Sequence, residues 1–149
     1  MKNKIALIIV LVFALMQLFN PDEIIAPESM DLDYFTEVEA SDEVMNLIQT
    51  TCYDCHSLQP KMPWYSKVAP VSWWINDHIE HGSHHLNFSD WANYNRKEKA
   101  HKMEECYEMI EEDEMPLYSY TILHGDAKFS DEQKEMLISF FKAQEEKYN

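Results

Sequence analysis

Glycine is nearly missing from this 149-residue chain: only Gly82 and Gly125 are present. Nucleotide-binding turns of the Rossmann and P-loop kinds need several glycines so that the backbone can approach phosphates, so both are excluded. Positive charge is also scarce. There are 12 Lys+Arg, with Arg96 the single arginine, against 27 Asp+Glu, for a formal net charge of −15. A chain of this balance is unsuited to nucleic acid and to anionic lipid surfaces, and its acidity reads chiefly as a solubilising surface. Cysteine is limited to three residues, so a reading through thiols alone is confined to Cys52 and Cys55 as a disulfide or a metal-binding pair. No internal repeat and no strand-like alternation is evident.

What is present begins at the N-terminus. Lys2 and Lys4 precede an apolar run from Ile5 to Phe19, broken only by Gln17 and followed by Asn20-Pro21-Asp22-Glu23. A positive flank, an apolar stretch and an acidic exit form an export signal with its N-terminus in the cytoplasm. As a helix the run spans about 22 Å, short of a hydrocarbon core of about 30 Å, which favours a cleaved signal. The lack of an A-x-A-like site after Phe19 favours an uncleaved anchor. Either way residues 1–20 direct the rest of the chain to the exported side, the periplasmic face of a bacterial inner membrane. Residues 21–40 contain Pro21, Pro27 and seven acidic residues, and are expected to be a tether. Residues 41–149 form the domain.

The centre of the domain is Cys52-Tyr53-Asp54-Cys55-His56, the C-x-x-C-H signature of c-type haem attachment. Two thiols add across the two porphyrin vinyl groups, and the adjoining histidine is placed to bind iron. The alternatives are a zinc knuckle, a thioredoxin-like redox pair, or two packed thiols. Zinc wants a second ligand pair at short spacing, and no second C-x-x-C exists. A thioredoxin-like pair needs a βαβ context that this chain does not offer.

The expected fold is all-α, a cytochrome c-like helical domain around one covalent haem. Ser41 or Asp42 caps a helix carrying Val44, Leu47 and Ile48 into Cys52. Pro60, Pro63 and Pro70 make residues 61–70 irregular. A helix from Val71 to Glu80 ends at Gly82, and a longer one runs from Asn87 or Ser89 to about Asp113, with Met103, Cys106, Tyr107 and Ile110 on one face. Cys106 is expected to be a buried thiol. Met115-Pro116 stops that helix. Ser130 and Gln133 form a capping box for a last helix with Met136, Leu137, Phe140 and Phe141 as its apolar stripe.

Iron bound by His56 has one further axial position. Met115 is the expected ligand, because proline after it holds it in a loop shortly before the last helix. Met115 as an apolar plug is the plain alternative. Met62 is too close to His56 to reach the opposite face. His78, His81, His84 and His85 are expected to be solvated at a helix end, His101 lies on a charged face, and His124 is the main histidine rival. Trp64, Tyr65, Trp73, Trp74, Tyr118 and Tyr120 are expected to wall the haem pocket, each also being able to serve as ordinary core. With one arginine, haem propionates would meet lysines, tyrosine hydroxyls or indole N–H groups.

These residues resemble the bacterial haem-binding domain family of exported or membrane-anchored c-type cytochrome-like proteins. The resemblance rests on Cys52 to Ser57, on Pro63-Trp64-Tyr65 through Trp73-Trp74, on His85 to Ser89 with Trp91, and on Glu114-Met115-Pro116-Leu117 with Tyr120 and His124. It implies a single covalent haem held by Cys52, Cys55 and His56. The segment Leu58 to Met62 departs from it, since the family tends to be asparagine-rich there. The functional expectation is single-electron transfer rather than enzymatic catalysis, with no catalytic residue assigned. A redox partner completes the picture; the acids between Glu104 and Glu114 read first as a solvated helix face, with steering of a basic partner as the second reading. The rival expectation is a haem enzyme or gas sensor with an open sixth site and His124 as acid/base or distal donor.

Changing Cys52 and Cys55 together to Ala is expected to abolish both the covalent mass increase and the haem absorption of denatured protein, when the chain is exported by a host with haem-attachment machinery. Retention of either signal in the double variant refutes the thioether assignment.

Overall fold

The computed structural model describes residues 1–21 and 29–149. Among them every regular element is helical. Helix α1 spans Lys2–Met16 and continues as a 3-10 turn, Gln17–Phe19. Then come α2 (Tyr34–Glu37), α3 (Asp42–Thr51), α4 (Tyr53–His56), α5 (Val71–His85), α6 (Arg96–Glu111), α7 (Tyr118–Thr121) and α8 (Asp131–Tyr148). Three further 3-10 turns, Trp64–Lys67, Phe88–Asn93 and Gly125–Ala127, serve as connectors.

The expected caps at Ser41 and Ser130 are formed. Ser41 Oγ accepts from the Val44 amide, and Ser130 and Gln133 exchange side-chain to backbone bonds in both directions. Two expectations need correction. Helix α5 runs through Gly82 to His85. The long helix expected from Asn87 or Ser89 is divided: Asn87 caps only the short 3-10 turn, and α6 starts after Asn95. There the Asn95 side chain takes the amides of Lys97 and Glu98 while Glu98 returns to the Asn95 amide. This reciprocal box satisfies more of the orphan amides than a cap at Asn87 does.

Helices α6 and α8 pack on each other, burying Met103, Ile110, Leu137 and Phe141. The rest of the core is aromatic. Tyr34 meets Trp91 edge-on at 4.8 Å and Phe88 at 5.1 Å, and Tyr53 stacks on Phe88 at 5.3 Å. The expected tether is thus corrected in part. Residues 22–28 of it lie outside the described residues, but Asp33, Tyr34 and Val38 are buried. Tyr34 donates to Met103 Sδ, Asp33 accepts from Tyr53, and Glu37 pairs with Lys99 of α6 and accepts from Tyr148 of α8. Sequence acidity suggested solvation here; the two aromatic residues Tyr34 and Phe35 decide the outcome, because burying them outweighs the few charges that can be paired.

Tyr34→Ala is expected to lower the unfolding free energy of the domain by about 3 kcal/mol or more, by analogy with aromatic truncation in cores. Chemical denaturation measures it, and a loss near zero would return this segment to the status of a tether.

Candidate functional site

The site is built around the short turn of α4. Cys52 closes α3 and starts α4, so the two thiols and His56 lie on consecutive turns of nearly continuous helix. The two residues between the cysteines anchor it in opposite directions. Tyr53 is buried in the aromatic core and donates to Asp33 Oδ1 at 3.0 Å. Asp54 faces the loops: its Oδ1 accepts the Lys61 amide at 2.7 Å and its Oδ2 accepts the Tyr120 hydroxyl at 2.7 Å. Behind the motif, buried Ser57 donates to the Tyr53 carbonyl and accepts the Gln59 amide.

The imidazole of His56 is fixed by α5. Its Nδ1 lies 2.9 Å from the Gly82 carbonyl and 3.2 Å from the Leu86 carbonyl. Two acceptors at Nδ1 put the proton there and leave the Nε2 lone pair available to a metal, the usual outer support of a ligating histidine. Burial holds the pKa of His56 below its ordinary value, partly countered by the two carbonyls, so the ring is kept in the neutral form that can ligate. Gly82 makes this approach possible. A Cβ on it would lie 2.8 Å from the Cys55 carbonyl oxygen and 3.3 Å from Cys55 Cβ.

Cys52, Cys55 and His56 open onto a cavity of about 550 Å³, within the usual size range of small-molecule and cofactor sites. Gly82, His78, His81 and His85 of α5 line one part of it, and Lys102, Glu105, Cys106 and Met109 of α6 another. Phe88, Phe129 and Phe141 supply apolar surface, and Met115, Leu117 and Tyr120 complete the wall. Met115 is reached through a tight turn after α6, where Asp113 adopts φ 59° and the amides of Glu114 and Met115 both bond to the Met109 carbonyl. Both motif cysteines are free thiols whose pKa burial pushes up to about 11.

The structure thus brings Cys52, Cys55, His56, Met115 and Tyr120 to one cavity. The other expected pocket aromatics stand elsewhere. Tyr65 and Trp74 line an adjoining pocket of about 90 Å³ with Met62 and His124, which shares Cys55, His78, Leu117 and Tyr120 with the cavity, while Trp64, Trp73 and Tyr118 are exposed on the surface. The flat side chains nearest the cavity are instead phenylalanines, placed by the aromatic core. His124 lies in that adjoining pocket, its Nε2 3.2 Å from the Tyr65 hydroxyl, and stacks at 4.1 Å on Tyr120, which lines both spaces. Cys106, expected as a buried thiol, is partly buried against the core and also lines the cavity wall near Cys52.

Lys102, Cys106 and Met109 were missed as a group, although their i, i+4, i+7 spacing marks one helix face. Lys102 bonds to Glu105 at 3.1 Å and supplies the cationic group on the α6 wall. His81 and His85 are solvent-exposed as expected, but they also form the cavity rim.

A helical domain with an apolar cavity, three free thiols on its wall, two of them from the motif, and a neutral histidine whose outer nitrogen is already engaged has the donor set of a haem protein. A family model described as a haem-binding domain matches residues 11–143, and the chain belongs to that family. No curated protein matches the chain, and no solved structure does.

Gly82→Ala is expected to cost about 1–3 kcal/mol of stability through overpacking against Cys55 and to reduce haem loading. Gly125→Ala, with nothing within 4 Å of the added carbon, is the control and should leave both unchanged. Equal behaviour of the two variants in denaturation and pigment yield would remove the close-approach argument.

Proposed function

We propose that this domain carries one covalent haem c, bound by Cys52 and Cys55 with iron held between His56 and Met115, and that it transfers single electrons on the exported side of a bacterial membrane. The observation that carries this reading is the meeting of both thiols, His56 and Met115 on one apolar cavity, with His56 Nδ1 engaged by two backbone carbonyls. When bound, the haem supplies a one-electron ferrous/ferric couple. Cys52, Cys55, His56 and Met115 would hold it, Phe88, Phe129 and Phe141 would form the apolar wall that excludes water, and Lys102 and the rim histidines would be the polar groups available to its carboxylates. A thioether donor and an apolar surrounding both raise the potential.

Export is supported by α1, which with its 3-10 extension forms a helix over Lys2–Phe19 apolar enough to cross a membrane and without a buried residue. A signal sequence or an anchor fits it equally. A basic redox partner remains part of the proposal, though Glu111 and Asp113 already pair with Lys142 and Lys134, which weakens their pull on an incoming protein. The position of His124 outside the cavity gives no support to the enzyme or gas-sensor reading in which it acts beside an open iron. The raised thiol pKa values give none to a reactive redox pair, which needs a thiolate.

The test is the optical spectrum of the exported protein beside its Met115→Ala variant. The parent should be low-spin with the near-red sulfur-to-iron band, and the variant should lose that band. A high-spin parent indifferent to the substitution rejects Met115 and transfers the assignment to an open iron. A colourless parent rejects the haem c reading.

A further inference from the structure

The end of the apolar helix is bonded to one particular face of the domain. Gln17 exchanges two hydrogen bonds with the Ala69 backbone, its Nε2 donating to the carbonyl and its Oε1 accepting from the amide. Asn20 Oδ1 accepts from Ser72, and Trp73 Nε1 donates to the Phe19 carbonyl at 2.7 Å. These contacts fix the 3-10 turn Trp64–Lys67 and the start of α5 at the level where α1 ends.

The same face carries large apolar and aromatic side chains left open to solvent. Trp64 is 80% exposed, Tyr118 81%, Leu123 65% and Ile122 61%, with Trp73 and Trp74 beside the α1 contact. The two segments are joined: Tyr65 bonds to His124, and Met62, Trp74 and Leu123 line the same small pocket. This face is also set apart by charge. In a chain with 27 acidic residues, residues 55–76 and 115–125 contain none, while Lys61 and Lys67 fall among them. Asp54, which lines the small pocket, is engaged by the Lys61 amide and the Tyr120 hydroxyl, and most of the chain's carboxylates belong to other segments.

We propose that this face rests on the bilayer interface, with Trp64, Trp73, Trp74 and Tyr118 at headgroup depth and Ile122 and Leu123 against the acyl boundary. The proposal rests on the reading of α1 as an uncleaved membrane anchor. Tryptophan and tyrosine favour this depth because their rings are apolar at one end and hydrogen-bonding at the other. A domain so placed is held in one orientation above the membrane, with the α6–α8 side and its carboxylates presented outward.

Photolabelling of the full-length chain in native membranes tests this. A benzophenone amino acid is placed singly at Trp64, Tyr118, Leu11 in α1, and exposed Glu146 in α8, and adducts are identified by mass after native far-UV dichroism is verified. Leu123 replaces any of the face positions that fails to fold. The expected result is phospholipid adducts at 64, 118 and 11 and none above background at 146. Adducts at 11 without any at 64 or 118 overturn the docking proposal while leaving the anchor intact. No adduct at 11 overturns the anchor reading and docking with it. Protein adducts at 64 and 118, or lipid adducts at 146 equal to theirs, also reject it.

Discussion

The hydrogen bonds between His56 Nδ1 and the last turn of α5 are the constraint on which the site depends. They determine the tautomer, the free nitrogen and the direction from which the ring faces the cavity. They also require α5 to come against α4 closely enough that only glycine fits at position 82. From this contact follow the rim histidines of α5, since His78, His81 and His85 share the helix that the imidazole has drawn in. Removing the carbonyl partners would free the ring to turn, and a ligand that can turn costs conformational entropy each time it binds.

The sequence-spacing of the motif accounts for three of the cavity residues, but the intervening Tyr53 and Asp54 explain how those three are held. A side chain on each flank of α4 is committed, one to the aromatic core and one to the loops that follow. The core and the cavity share a wall: Leu86, Phe88, Ile110 and Phe141 belong to the buried cluster and also line the cavity. The haem site is built at the margin of an already packed aromatic cluster, in which Tyr34, Phe88 and Trp91 are fully buried.

The legible parts of the chain were those written in local chemistry. The capping residues Ser41 and Ser130 and the apolar character of α1 are short-range signals, and the close spacing of Cys52, Cys55 and His56 brings them to one cavity. The misread parts depended on distant partners. Tyr34 looked like part of an acidic tether because its partners Phe88, Trp91 and Met103 lie more than fifty residues away. Gly82 looked like a helix terminator because a glycine at such a place ends many helices; its cause is the approach of Cys55 from another element. The tryptophans were assigned to the pocket because they flank the expected ligand loops, yet exposure of a large indole is set by tertiary placement, which composition does not contain.

The Tyr120 hydroxyl joins the motif to the loop that presents Met115, through Asp54. Burial, with Asp54 beside it, moves the Tyr120 phenol well above its ordinary pKa, so its proton stays on the oxygen through neutral and alkaline conditions. For a domain on the exported side, as proposed, the surrounding pH is set by the environment more than by the cell. The strut between the motif and the segment that follows Met115 is then an alkali-tolerant one: on the basic side of neutrality, the bond from Tyr120 to Asp54 keeps its proton whatever surrounds the domain.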